Sequence, residues 1–254
     1  KSDCVPKSIT GGLGTVAIRM PSHPVAAQLI RTSGVYIAAP SANISGKPSP
    51  TRGEHVIHDM KGRIDMIIVD DTVDIGVEST IVDLSEDVPT ILRPGYITKE
   101  MLSEVLGEVR IDPAIMGSVK PGVVPKAPGM KYKHYSPRAR VVIAHEASTA
   151  RQVYFQALSA GVDAWLLAPD AQLEGFSGLS AASLCSREHP EEAAQRLFAL
   201  LREADELGKQ LVIALWNSQT GIGLSVTNRL LRASGFTILL PHGEIEAGGK
   251  IISY

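Results

Sequence analysis

A proline- and glycine-rich segment between Gly117 and Pro137 constrains the fold of this chain more than any other feature. The segment shows no sustained helical or strand period, and it divides the 254 residues into two parts of ordinary domain size. Its punctuating residues are Gly117, Pro121, Gly122, Pro125, Pro128, Gly129 and Pro137. We therefore predict an ordered linker or lid over residues 117–138, with one domain at residues 1–116 and another at residues 139–254.

The sequence beyond the linker alternates between strand and helix patterns. The patterns predict strands at 140–144, 164–168, 211–216 and 236–239, and helices at 149–160, 191–207 and 224–233. The middle helix has Pro190 at its first turn, and Leu197, Phe198 and Leu201 follow one face. This order predicts a small Rossmann-like domain with a parallel sheet.

The sequence before the linker contains more strand patterns than helix patterns. It predicts strands at 14–20, 35–39, 64–70, 79–84 and 90–93, and helices at 25–33, 54–60 and 99–106. Gly34 fits a left-handed cap for the first helix, while Thr98 and Gly107 fit the start and end of the last. We expect a mixed sheet packed on one side, which makes the whole chain an α/β protein with an α+β first domain.

Bulk properties exclude several classes of protein. The formal net charge is −2, from 25 basic and 27 acidic residues, so no global positive field favours tight binding to a nucleic acid. Apolar runs such as 211–216 are far shorter than a membrane span. Cys4 and Cys185 have no neighbours at metal-ligand spacing, and His55 with His58 lacks a third ligand. We expect a cytoplasmic protein without a metal site of its own.

Two polar motifs in the first domain are candidates for ligand binding. Pro40–Asn43 follows a predicted strand, where hydroxyl, amide and backbone N–H groups can converge on phosphate oxygens, although ordinary turns have the same composition. Gly76–Thr80 is followed by Arg93, whose guanidinium suits a phosphate or carboxylate clamp and equally suits a surface ion pair. We predict that Arg93 lies near Ser41 and Asn43.

Two further segments have weaker signals. Thr15 and Arg19 share one face of a predicted strand, which is either a binding face or a solvated one. The segment 128–137 is dense in aromatic and basic groups, so we predict a lid that places Tyr132 or His134 over a nucleotide. No Gly-Lys-Ser/Thr phosphate loop is present, and Gly221-Ile222-Gly223 lacks the full dinucleotide fingerprint.

Taken in order, these motifs resemble the YrdC-type threonylcarbamoyl-AMP synthases in their long, two-domain form. The resemblance covers essentially every residue present, and ordered motifs are more specific than any single one. The motifs that carry it are Thr15–Arg19, Pro21–Pro24, Pro40–Gly46, Ser49–Thr51, Gly76–Thr80, Leu92–Gly95, Pro128–Pro137 and Gly223–Leu231.

The resemblance implies a YrdC-like catalytic domain that forms threonylcarbamoyl-AMP and pyrophosphate from L-threonine, bicarbonate or CO2, and ATP. It implies Mg²⁺ accompanying the ATP, and a partner enzyme that transfers the threonylcarbamoyl group to adenosine 37 of tRNA. The resemblance names Thr15, Ser41, Asn43, Ser49, Arg93 and Tyr132 as ATP contacts. It names Arg19, the Ala39 backbone and Ser79 as threonine contacts. It names no general base.

The sequence departs from the family pattern in one motif that contacts the substrates. The family has a Lys-x-Arg motif in the first part of its catalytic domain, and none precedes Lys1 here. We therefore expect residues 1–254 to be a trimmed portion that does not make the adenylate alone. Two alternatives stay open: an RNA-binding protein on the same fold, and an enzyme that transfers a carbamoyl group to a different acceptor.

Overall fold

A computed structural model describes residues 3–70, 73–117, 135–186, 189–241, 244–247 and 250–253. Contacts divide the chain into two compact units, Lys1–Ser41 and Ala42–Tyr254. Each unit is described by itself. Among the described residues, every helix is too short or too polar to traverse a lipid bilayer.

The first unit contains one α-helix, α1 (Pro24–Ser33), and a short 3₁₀ turn, Lys7–Ile9. Helix α1 starts with a proline at its first position and ends at Gly34, whose φ of 65° is the left-handed conformation that the sequence predicts. The strands predicted at 14–20 and 35–39 are wrong, because neither segment belongs to a ladder among the described residues. Alternation at 14–20 and a short apolar run at 35–39 each predict an extended backbone, but a strand also needs a hydrogen-bonded neighbour.

The second unit begins with a small α+β layer. Its helices are α2 (Gly53–Met60) and α3 (Lys99–Leu106), and its strands are β1 (Ile81–Asp83), β2 (Thr90–Arg93) and β3 (Arg110–Ile111). Strand β2 pairs antiparallel with β1 and parallel with β3, so the predicted mixed sheet is confirmed. The Thr98 hydroxyl accepts from Met101 N and Gly107 ends α3, as predicted. The strand predicted at 64–70 is wrong, since that segment joins no ladder in the described chain.

The rest of the second unit is a seven-stranded sheet with helices on both faces. Its strand order is β10-β9-β8-β4-β7-β5-β6, and β8, β4, β7, β5 and β6 run parallel. The strands are β4 (Arg140–Ala144), β5 (Ala164–Ala168), β6 (Ala181–Ser183), β7 (Leu211–Leu215), β8 (Thr237–Leu240), β9 (Glu244–Ala247) and β10 (Lys250–Ser253). The helices are α4 (Ala147–Ser159), α5 (Asp170–Leu173), α6 (Glu191–Glu206) and α7 (Gly221–Ser234). The predicted Rossmann-like arrangement is confirmed, with an antiparallel hairpin, β9 and β10, added at one edge.

Alternation along the central strands divides the core into two layers. Val141 and Ile143 pack with Leu197 and Phe198 of α6 on one face, together with residues of α7. The neighbouring residues of β4 point to the other face, where α4 covers them. Helices α6 and α7 therefore share one face of the sheet, and this is the side that carries the functional contacts described below.

Candidate functional site

The loop that follows Ala42 is held by its own amide side chain. Asn43 Nδ2 donates to the carbonyls of Ile44 at 3.0 Å and Lys47 at 3.2 Å, and Gly46 between them has a φ of 86°. Asn43 Oδ1 is buried and has no hydrogen-bond partner among the described residues. A buried acceptor without a partner is uncommon, so this oxygen is free to accept from a ligand.

The centre of the site is the carboxylate of Glu78. Its Oε1 accepts a 2.6 Å hydrogen bond from the Ser49 hydroxyl, and its Oε2 accepts a 2.9 Å bond from Arg229 Nε. Burial alone would raise the pKa of Glu78, but the charge of Arg229, the bond from Ser49 and the charge of Arg93 outweigh it. The pKa of Glu78 is therefore lowered, and the carboxylate is ionised at neutral pH.

Arg93 joins this centre from strand β2. Its Nε and Nη2 both donate to the Ser79 carbonyl, at 3.1 and 2.9 Å, and the residue is only 9% exposed. Two bonds to one oxygen fix the plane of the guanidinium. The Ser49 hydroxyl and the Arg93 guanidinium, which come from segments far apart in sequence, thus meet at Glu78 and the neighbouring Ser79 carbonyl.

The backbone contact between the two motifs requires a glycine. A Cβ on Gly95 would lie 2.4 Å from Thr80 N and 2.6 Å from Glu78 O. Only a residue without a side chain allows the segments Gly76–Thr80 and Arg93–Gly95 to approach this closely. The Leu92-Arg93-Pro94-Gly95 motif is therefore explained by close packing as well as by the charge of Arg93.

A second ion pair supports the other end of the loop. Arg202 of α6 donates to both oxygens of Asp59, at 2.7 and 3.3 Å, and to the Pro48 carbonyl at 2.6 Å. Asp59 is 3% exposed, and its Oδ2 also lies 3.4 Å from Ile44 N. The loop with Asn43 and Ser49 is thus held through Pro48 and Ile44 as well as through Glu78.

Of the remaining predicted site residues, some belong to the first unit and others lie outside the described residues. Thr15, Arg19, Ala39 and Ser41 belong to the first unit and are exposed. Tyr132 and His134, and with them most of the predicted lid, lie outside the described residues. Tyr135, at the end of the lid segment, is 4% exposed and its ring centroid lies 5.0 Å from that of Phe198. The predicted proximity of Arg93, Ser41 and Asn43 stays a prediction.

Arg202 was not predicted from the sequence, and Glu78 and Arg229 were quoted only as parts of motifs. A signal for Arg229 existed in α7, where Ser225, Arg229 and Arg232 recur every three or four residues of the helix. Such a polar stripe on a buried helix indicates a polar partner on that side. The structure supplies partners: Ser225 Oγ donates to the Gly95 carbonyl at 2.8 Å and Asn228 Nδ2 to that of Ile115 at 2.8 Å.

The two histidines that the sequence analysis set aside have local partners. His55 Nδ1 accepts from Thr51 N at 3.2 Å, and His58 Nδ1 lies 3.1 Å from Asp59 Oδ1. No group of three or more His, Cys, Asp or Glu side chains in the described part of the chain could hold a metal ion. The described residues thus offer no protein cage for Mg²⁺.

Family comparisons agree with the two-part architecture. Residues 1–95 match the family model of Sua5, YciO and YrdC proteins, described as "Telomere recombination". Residues 97–235 match the model described as the C-terminal domain of threonylcarbamoyl-AMP synthase. The two matches define a class of protein in which a YrdC-like part precedes a second domain. The domain boundaries at 116 and 139 stay predictions.

Individual relatives identify the family within that class. The threonylcarbamoyl-AMP synthase of Pyrococcus abyssi is 42% identical over 94% of this chain and 69% of its own length. That of Bacillus subtilis is 41% identical over 94% of this chain and 68% of its own length. The crystal structure of P. abyssi Sua5 with L-threonine superposes with a TM-score of 0.84 at 41% identity, covering 95% of this chain and 70% of that one. The chain belongs to the threonylcarbamoyl-AMP synthase family, as its ordered motifs predicted.

Proposed function

We propose that this protein forms L-threonylcarbamoyladenylate and pyrophosphate from L-threonine, bicarbonate or CO2, and ATP. Family membership and the synthases of P. abyssi and B. subtilis support this activity. The observation that carries it in this chain is the meeting of Ser49, Ser79 and Arg93 around the ionised Glu78. The product would supply a partner enzyme that modifies adenosine 37 of tRNA.

The reaction needs positioning and charge stabilisation more than covalent help. The threonine amine and CO2 give a carbamate, whose oxygen forms a bond to the α-phosphorus of ATP while the bond to pyrophosphate breaks. Negative charge grows on the phosphoryl oxygens during this transfer. Arg93 is suited to that charge because its guanidinium is fixed by two bonds to Ser79 O.

The site residues keep the roles that the resemblance implied. We propose Thr15, Ser41, Asn43, Ser49, Arg93 and Tyr132 as contacts of ATP, and Arg19, the Ala39 backbone and Ser79 as contacts of threonine. The buried Asn43 Oδ1, which has no hydrogen-bond partner among the described residues, supports a ligand at that loop. Mg²⁺ enters as part of the MgATP substrate, and bicarbonate or CO2 is the third substrate. We propose a cytoplasmic location, because the chain has only two cysteines and they lie far apart in sequence.

The assay follows threonylcarbamoyl-AMP by mass spectrometry, with the protein at its natural length and with threonine, bicarbonate and MgATP. We expect Arg93→Ala to lower turnover by at least about a hundredfold. This is the usual effect of removing one hydrogen-bond donor to the negative charge that develops in the transition state. Arg110→Ala is the control, since Arg110 is exposed and pairs only with the exposed Glu108 in the described contacts.

Measuring tRNA binding and ATP consumption beside that product separates the alternatives. An RNA-binding protein would retain tRNA without turnover, and a different carbamoyl transferase would consume ATP without needing threonine. Wild-type protein that gives no threonine-dependent product would contradict the proposed function. Equal turnover in the Arg93 and Arg110 variants would contradict the role of Arg93.

A further inference from the structure

We infer that Arg202, near the end of α6, is a positioning residue for the nucleotide. Together with Asp59, it fixes the peptide bonds next to Asn43 and Ser49, two of the proposed ATP contacts. The inference rests on the proposed function. It gives α6 a part in nucleotide binding, although this helix supplies none of the contacts that the motifs predict.

One end of the loop between these two contacts is fixed directly by the Arg202 guanidinium. Its Nη2 donates to the Pro48 carbonyl at 2.6 Å. This carbonyl belongs to the peptide bond that joins Pro48 to Ser49, and the peptide group is planar, so Arg202 also sets the direction of the Ser49 N–H. Pro48 and Ser49 are both buried, so loss of this donor would leave a buried carbonyl without it.

The other end of the loop is fixed through Asp59. Asp59 is 3% exposed, and its Oδ2 accepts from Ile44 N at 3.4 Å. That N–H belongs to the peptide bond between Asn43 and Ile44. Arg202 donates to both oxygens of Asp59, at 2.7 and 3.3 Å, which fixes the plane of the carboxylate. One guanidinium thus orients the backbone beside both proposed contacts.

A second residue of α6 contacts the same loop. Asp205 lies one turn after Arg202, and its Oδ2 is 3.7 Å from Lys47 Nζ. The Lys47 carbonyl accepts from Asn43 Nδ2 at 3.2 Å, which holds the side chain of that proposed contact. The end of α6 is therefore the surface against which this loop is ordered.

A purely structural role for Arg202 is the competing explanation, because removing one partner of a buried ion pair destabilises a fold. Destabilisation reduces the amount of folded enzyme and therefore kcat, but it leaves the KM of the molecules that remain folded. A displaced loop instead raises the KM for ATP. The KM for threonine is the internal reference, because none of the proposed threonine contacts lies in this loop.

The test uses the protein at its natural length and compares wild type with Arg202→Met, the double variant R202M/D59N, and Leu166→Ala. The double variant removes both charges, so no uncompensated buried charge remains, but the Pro48 carbonyl still lacks its donor. Leu166→Ala is the control for destabilisation, since Leu166 is fully buried in the core layer on the face of the sheet opposite α6. Melting temperature, kcat, and KM for ATP and for threonine are measured for each form.

We expect R202M to raise the KM for ATP about tenfold or more, the order of effect that the loss of one buried hydrogen bond produces. Its KM for threonine should stay within about threefold of wild type, within the range of small indirect effects. L166A should lower the melting temperature without changing either KM. R202M/D59N should melt closer to wild type than R202M does, and should keep the raised KM for ATP.

Other results would contradict the positioning role. An R202M enzyme with the same KM for ATP as L166A would overturn the inference while leaving the proposed function intact. A double variant that regains the wild-type KM would show that the effect follows the stability of the ion pair, and this too overturns the inference. Equal rises in the KM for ATP and for threonine would indicate a general disturbance of the site, with the same consequence. If R202M does not fold, the double variant decides by these criteria. Wild type without product would reject the proposed function and this inference together.

Discussion

At the scale of single residues, the ion pair between Asp59 and Arg202 is the most buried in the described contacts apart from that of Arg229. Their side chains are 3% and 11% exposed, and Arg202 Nη2 lies 2.7 Å from Asp59 Oδ2. Burial would raise the pKa of Asp59, but hydrogen bonds from Arg202 and His58 lower it from 3.8 to about 2. The pair therefore makes stability depend on pH.

The direction of this pH dependence follows from the lowered pKa of Asp59. Because the pKa of Asp59 is lowered only in the folded state, the ion pair stabilises the fold fully above pH 3.8. This stabilisation is lost as the pH falls towards about 2. We expect Asp59→Asn to cost about 3 kcal/mol at pH 7, since Arg202 then lacks its counter-charge. Urea unfolding from pH 7 to pH 2.5 should show a smaller loss for this variant than for wild type.

The exposed Asp65→Asn serves as the control for that measurement and should follow the wild-type curve. A pH dependence in Asp59→Asn as steep as that of wild type would show that other carboxyl groups account for the acid sensitivity. Glu78 is the next candidate, since its pKa is also lowered.

The residues of the candidate site were only partly predictable from sequence. Ser49, Ser79 and Arg93 were named because they stand in polar motifs next to glycine or proline, and the structure brings them together. Arg229 was quoted only within a motif and given no role, because its partner Glu78 lies 151 positions away and the polar residues of α7 do not identify that partner. Buried ion pairs between distant segments are tertiary contacts, and their partners cannot be assigned from composition or periodicity.

At the scale of elements, Gly76 decides how α6 packs on the Glu78 segment. Its φ is 71°, and a Cβ there would lie 2.4 Å from Gln195 O and 2.5 Å from Ala194 O. Both atoms are backbone of α6, so they cannot move without displacing the helix. The adjacent Val77 is buried in the same core cluster as Leu197 and Phe198.

We expect Gly76→Ala to destabilise the protein by about 3 kcal/mol or more, through backbone strain plus a clash that separates α6 from the site. Gly62→Ala is the matched control, since Gly62 has a φ of 75° and nothing within 4 Å of its added Cβ. Gly62→Ala should lower the free energy of unfolding only through backbone strain, by about 1 kcal/mol. Chemical unfolding of both variants measures the difference, and equal losses would contradict the packing argument.

Helices were predicted better than strands, for a physical reason. The caps Gly34 and Thr98 are local, and both occur where the sequence placed them. The strand pattern at 64–70 was equally local, but a strand is defined by a hydrogen-bonded neighbour, and Met66 is 76% exposed without a ladder in the described chain. The parallel strands β4, β5 and β7 were predictable because each is a short apolar run between helices.

At the scale of the whole second unit, the small mixed sheet depends on the larger domain for its core. The buried residues of its cluster are Ile91, Val109 and Ile115 from the small layer and Leu224 from α7. A three-stranded sheet with so few buried side chains is marginal alone. Contacts from Ser225, Asn228 and Arg229 fix α7 against the same layer.

This sharing of a core predicts that the two sheets of the second unit unfold in one cooperative step. Leu224→Ala should lower the protection of amides in β2 and in β7 by the same amount, about 3 kcal/mol, because the lost contact stabilises both. Hydrogen exchange followed by mass spectrometry on the two strands measures this, with the 44%-exposed Leu158→Ala as a control that changes neither. A drop confined to β2 would show instead that the small layer opens independently. In that case the hydrogen bonds from Arg229 to Glu78 and Pro94 would break each time the small layer opens. The same experiment therefore decides whether α7 contacts the Glu78 segment at all times or only when the small layer is closed.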